Sequence, residues 1–368
     1  MKKLVSQRQL ILILIISLVA LKVLLLPSLL AKEIGRDAYI YVLIALLFDF
    51  FMLLIFLFLF NKNPDLSFYQ ILEKMFGCMI ARIMMFALFL FFLMKCWGAF
   101  VTNYSYLNEN LYTSLKWYTY CFPILIIVFF IARLKVNALA RLVEFFAPIV
   151  IIGFLVSLLV GIRKADYTNL LPILENGFFG NFSIFFKYSF WFGDYLIFIV
   201  FFGNTKVEKK FNITISTTIL IAIVLIALFF ATIFSVFSYN SVSHTNSISD
   251  ILQVLPSTAD IGSFDWVLIL VWDMALFLYF AIYILGAFYS FRQTFGKKYD
   301  LITTSAILIV VLILAIIVNF DIELSISLAK KYFWIFSLSI EYGIPILLFL
   351  FSPMIKRRDK ADEIFMEK

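Results

Sequence analysis

Ten apolar stretches follow one another along the chain, and basic residues collect in every second gap between them. A bilayer's hydrocarbon core, about 30 Å thick, takes roughly 20 apolar residues per helix. The stretches fall at about 9–31, 38–60, 79–104, 117–133, 141–162, 183–203, 211–237, 264–290, 300–318 and 332–352. Hydrophobic residues make up 64% of the 368 positions, against roughly 45–50% in a soluble domain. Such a chain is an all-α polytopic membrane protein. One ten-helix transmembrane domain is expected over residues 1–356, with a charged cytoplasmic tail over 357–368.

Charge sets the orientation. With the N-terminus inside, the cytoplasmic gaps and ends hold 20 Lys and Arg and the outer gaps hold 7. Lys22, Lys95 and Lys187 lie within spans. Basic residues favour the cytoplasmic side, so both termini are expected there. The same placement accounts for the net charge of +7 without nucleic acid. The first stretch has a charged flank but no small-residue cleavage site, and it reads as a retained helix.

The gaps carry a few further expectations. Residues 163–182, with Pro172, form a re-entrant or surface segment, and 238–263 a polar outer lid with an amphipathic piece at Ile248–Leu255. Leu66–Phe76 reads as a short interfacial helix.

Cys78, Cys96 and Cys121 have no metal-ligand spacing, and His244 is the single histidine. No cofactor or metal is expected. The chain has no P-loop, GxGxxG, HExxH or GxSxG pattern, so enzymatic chemistry is not expected.

Interest concentrates in two spans. The first carries Lys22 near its middle and Pro27 beyond it; the sixth carries Gly193 and Asp194. Ten spans divide as five plus five, and these two open each half. Interrupted helices at matching places point to the binding site of an inverted-repeat transporter. The expected fold is therefore a 5+5 inverted repeat, about 9–162 and 183–352, with helices 1 and 6 broken. A Pro kink and a Gly packing contact are the plainer alternative.

Lys22, Asp49, Lys95, Lys187, Asp194, Asp273 and Glu341 all fall within apolar runs. Each costs roughly 2.5–3.5 kcal/mol at a helix centre, so they should face the interior and pair. Lys22 is expected to pair with Asp194 or Asp273. The set serves either as structural ion pairs or as a seat for a zwitterion, Lys facing carboxylate and Asp facing ammonium. Lys187, near a span end, is placed to snorkel.

With these residues in view, the chain resembles the B subunit of spore germination receptors, in the amino acid–polyamine–organocation superfamily, a resemblance that implies a LeuT-like form of the 5+5 repeat. The resemblance rests on Gln9, on Leu26-Pro27-Ser28 through Arg36-Asp37, on Val143-Glu144 through Pro148, and on Ala165 through Pro172 to Gly177. Phe192-Gly193-Asp194 stands where that family has Gly followed closely by Glu, and Trp272 matches a recurrent Trp. The likeness implies a germinant sensor in the inner membrane of the endospore. Such a sensor binds an amino acid or similar nutrient and works with A-type and C-type subunits. Carried over residue by residue, the pocket wall comprises Ala20, Leu21, Lys22, Lys95, Ala99, Phe192, Gly193, Asp194, Asp273, Leu276, Tyr279 and Tyr283. One departure stands out: Ala20-Leu21-Lys22 replaces a Gly-rich turn. A lysine there implies a smaller pocket, a preference for anions, or a self-plugged site. The competing readings are a proton-coupled amino-acid transporter, and a structural subunit whose pocket Lys22 and Lys95 fill.

Overall fold

The computed structural model describes residues 5–110, 116–133, 136–174, 177, 182–205, 210–237, 265–296, 300–317 and 319–353. Among these residues there is no β-strand; the sole β-type contact is a single bridge between Val5 and Thr205. The helices are α1 (Gln7–Glu33), α2 (Ala38–Lys62), α3 (Phe68–Phe76), α4 (Cys78–Asn110), α5 (Trp117–Arg133), α6 (Val136–Lys164), α7 (Phe182–Lys187), α8 (Phe211–Phe237), α9 (Asp265–Phe295) and α10 (Asp300–Ile317). The last, α11 (Ile322–Phe351), contains two π-helical turns, Ala329–Phe333 and Ser339–Gly343.

Among the described residues, seven helices are long and apolar enough to cross a membrane: α1, α2, α4, α6, α8, α9 and α11. Of the other expected spans, 117–133 is the 17-residue α5, 300–318 is α10, apolar over Ser305–Ile317, and 183–203 is interrupted. Residues 238–263 and the tail from 357 lie outside the described residues.

The expectation of a broken first helix is overturned: α1 is continuous from Gln7 to Glu33, with Pro27 inside it. Proline's fixed φ suits a helix, but it lacks the N–H for the intrahelical bond and its ring crowds the carbonyl four residues back. In the same turn Ser28 Oγ donates to the Leu25 carbonyl at 2.9 Å. Almost every α1 side chain is buried, so packing on all sides holds the helix through the lost bond. Among the described residues the two matched breaks are therefore not both present: α1 runs through, and the sixth segment is interrupted.

α1 is the central post, packed against α2, α6, α8, α9 and the interrupted segment. Its start is fixed by a capping box, Ser6 with Gln9. Gln9 Nε2 also donates to Glu144 of α6 at 2.7 Å. At its other end, Arg36 Nη1 donates to the Leu171 carbonyl, and Leu174 N donates to Asp37 Oδ1 at 2.9 Å. Each contact joins two of the stretches that carry the sequence resemblance. They are clamps between distant parts of the chain.

The segment after α6 is a surface turn: its 3-10 piece, Tyr167–Leu170, has no buried residue. Of the two readings for 163–182, the described part follows the surface one. α3 forms where the interfacial helix was expected, opened by a Ser67–Gln70 capping box. It buries Phe68, Ile71, Leu72 and Met75 against α4. Elsewhere large apolar side chains such as Phe51, Phe145 and Leu350 point outward, as expected where the surroundings are lipid rather than water.

Candidate functional site

The sixth segment begins as α7 and tightens to a 3-10 turn, Ser189–Trp191. It becomes extended at Phe192 and left-handed at Gly193 (φ 75°, ψ 15°). A 3-10 helix, Asp194–Phe201, then runs through the core with every residue buried. Glycine enters the left-handed region without the Cβ penalty other residues meet. Space demands glycine too: a Cβ at Gly193 would lie 2.3 Å from Cγ of Glu341.

An interruption inside a membrane protein exposes backbone groups that lipid cannot satisfy. Here charged side chains from neighbouring helices meet them. Gly193 N donates to Asp49 Oδ2 of α2 at 2.9 Å. Lys95 Nζ of α4 donates to the Phe192 carbonyl at 2.5 Å. Tyr195 OH donates to the backbone carbonyl of Glu341 in α11. The break is thus wired to three helices within four residues.

Asp194 is the hub. Lys22 Nζ of α1 is ion-paired with its Oδ2. Its Oδ1 receives Lys95 Nζ at 3.3 Å, Tyr279 OH at 3.1 Å and Tyr283 OH of α9. Aromatic faces complete the lysines' surroundings: Phe192 lies under Lys22 at 5.7 Å, and Phe91 and Phe190 lie 5.4 and 5.6 Å from Lys95. Lys22, Lys95 and Glu341 are fully buried, Asp194 and Asp49 nearly so. An isolated charge in this environment would be strongly disfavoured, whereas opposed charges with satisfied hydrogen bonds are tolerated.

Of the twelve residues expected at the site, Lys22, Lys95, Phe192, Gly193, Asp194, Tyr279 and Tyr283 form one contiguous cluster. Ala20, Leu21, Ala99 and Leu276 are buried on the same helices and contribute apolar packing. Asp273 stands apart. It is half-buried, bonded to Asn103, and lies about 9 Å along α9 from Tyr279 by helical rise. Of the two partners expected for Lys22, Asp194 is the one it has. Lys187 is exposed at the end of α7, outside the cluster.

Asp49, Tyr195 and Glu341 belong to this cluster but were not in the expected pocket wall. Two of them were legible as charges inside apolar runs. Tyr195 carries no such signal, because an aromatic in an apolar span is most often packing.

Fold and cluster together define an integral membrane bundle with one interrupted core segment, held by opposed buried charges. The chain belongs to the spore permease family of spore germination proteins, whose family model matches residues 4–321. No curated protein matches it.

Proposed function

We propose that the chain is the germinant-sensing membrane subunit of a spore germination receptor. It binds an amino acid or similar small nutrient at the Asp194 hub and signals to A-type and C-type partner subunits. Its place is the inner membrane of the endospore, with both termini on the core side. The full topology in this reading is ten crossings in a LeuT-like arrangement, α5, α10 and the interrupted segment adding to the seven long helices.

One observation carries the reading: Asp194 gathers two lysines and two tyrosine hydroxyls on a non-helical segment. An α-amino acid presents the same pair of charges as Lys22 and Asp194. Its ammonium can replace Lys22 on Asp194 while its carboxylate takes the released Lys22 and Lys95. Each buried charge keeps a partner throughout, so the exchange avoids the cost of stranding one. Lys22 now fills the space a ligand would take, so binding requires α1 or α9 to shift against the interrupted segment. A ligand moves such an equilibrium only by its differential affinity for the two packings, and the repacked bundle is what partner subunits read.

Proton-coupled transport of amino acids is the second reading. It is favoured by the excess of acidic groups at the hub, three carboxyls against two lysines.

The test is dipicolinic-acid release from spores of the native host, wild type against a deletion of the gene, across a panel of amino acids and other nutrients. Loss of response to one nutrient class is expected. Unchanged germination throughout contradicts the sensor reading, and uptake in proteoliposomes then decides for or against transport.

A further inference from the structure

The cluster holds Lys22 and Lys95 against Asp49, Asp194 and Glu341, all at most 2% exposed. Fully ionised, it carries one uncompensated negative charge at the centre of a membrane bundle, a state burial strongly opposes. The three carboxyls are not equivalent. Asp194 is saturated by four donors. Asp49 Oδ2 accepts the Gly193 N–H, so one of its oxygens is already engaged as an acceptor. Glu341 has no hydrogen-bond partner on either carboxyl oxygen among the described residues, and Asp49 Oδ1 has none either. Both side chains bear on Gly193: Asp49 through the 2.9 Å bond, and Glu341 with Oε1 2.6 Å from where a Cβ would stand.

We propose that Glu341 and Asp49 form a proton-binding site at the Gly193 break, with the proton on Glu341. One proton makes the five-residue cluster neutral. It turns an unpartnered acceptor into an O–H donor beside a carboxylate that lacks one. A small cleft between α1, α2 and α8, lined by Leu14, Phe50, Ile219 and Tyr195, has Asp49 as its one charged residue. Its exposed lining is apolar, so it keeps the carboxyl pair away from water rather than solvating it. The titratable groups facing Glu341 are Lys22 from α1, Tyr41 and Asp49 from α2, Lys95 from α4, Tyr195 from the interrupted segment, Tyr279 and Tyr283 from α9, and Tyr342 beside it on α11. Tyr195 holds Glu341's own carbonyl. Loss of the proton restores the net negative charge against Gly193, the residue on which the interruption turns. The site thereby links proton occupancy to the geometry of the Asp194 hub, whatever ligand that hub takes.

Because the folded protein would hold one proton that the unfolded chain releases, stability falls as pH rises through neutrality. The slope approaches a tenfold change in the folding equilibrium per pH unit. The experiment is thermal unfolding of the purified protein in lipid nanodiscs from mildly acidic to mildly alkaline pH, wild type against Glu341→Gln. The wild-type midpoint is expected to fall with pH and that of Glu341→Gln to lose this dependence. An identical slope in both proteins overturns the proposal. So does recovery of the wild-type midpoint at alkaline pH by added sodium or potassium, since a metal cation would then be the occupant. Should Glu341→Gln fail to fold, infrared spectroscopy of the wild type at neutral pH decides. A carboxylic-acid C=O band that shifts in Asp49→Asn is expected, and no such band, or one unmoved by that substitution, overturns the assignment. Neither readout depends on germination or on a nutrient.

Discussion

Asp194→Ala is expected to cost about 3–5 kcal/mol of stability, and adding Lys22→Ala to return part of that loss. Removing one partner of a buried ion pair leaves the other charge without compensation. Without Asp194, Lys22 and Lys95 lose their shared carboxylate, and Tyr279 and Tyr283 lose their acceptor. Lys95 keeps the Phe192 carbonyl at 2.5 Å. Lys22 loses its ion-pair partner and keeps the face of Phe192 and the more distant charges of Asp49 and Glu341, so Lys22 is the cation that loses most. Deleting it as well removes that penalty. Denaturation of the four proteins in a double-mutant cycle gives the coupling directly. Strictly additive losses would show that the pair contributes nothing beyond its separate members.

Gly193→Ala is expected to abolish the response to nutrient while leaving membrane insertion intact. A left-handed conformation costs a residue with a Cβ roughly 1–2 kcal/mol. Overpacking against Glu341 adds about 1–3 kcal/mol, because the overlap extends to Cγ, Cδ and Oε1 at 2.3–2.6 Å. Relief requires either Glu341 to move away or Phe192–Asp194 to change path, and either movement shifts Asp194 relative to Lys22. The readout is dipicolinic-acid release set beside the amount of protein in the membrane. Wild-type response would mean that the interrupted backbone is not needed for sensing.

The membrane character and most of the hub could be read from the sequence because both rest on single-residue energetics. An ionisable side chain in an apolar run must find a partner inside the bundle, so Lys22, Lys95, Asp194, Asp49 and Glu341 were recognisable without coordinates. Gly193 beside Asp194 was legible for a related reason: glycine adjacent to a charge in a span is a poor way to continue a helix. Pro27 misled. Its effect on α1 depends on whether surrounding helices hold the turn, and α1 is packed on nearly every face. Partner choice was equally beyond the sequence. Asp194 and Asp273 are alike as letters, and only the fold puts Asp194 against Lys22 and Asp273 against Asn103. Gln9 with Glu144, and Asp37 with the backbone of Leu174, show the same limit. Each stretch was recognisable alone, while its structural role appears only once the two are seen in contact.

These clamps also bear on how a signal could travel. Gln9–Glu144 ties the start of α1 to α6, and Arg36 and Asp37 tie the turn after α1 to residues 171–174. α1 is thus anchored near both ends, with Lys22 near its middle. Release of Lys22 from Asp194 would act on a helix pinned at its ends, which favours a change at the interrupted segment and α9 over wholesale movement of α1.

The most direct measurement is equilibrium binding of the nutrient to which spores lacking the gene fail to respond, using purified wild-type protein and Asp194→Asn in lipid nanodiscs. Asparagine keeps the shape of the side chain and removes the charge that would hold an ammonium group. Saturable binding to the wild type, weakened at least about tenfold in Asp194→Asn, a loss of roughly 1.4 kcal/mol, is the expected result. Equal affinity in the two proteins, or no binding to the wild type, would contradict a nutrient site at the Asp194 hub.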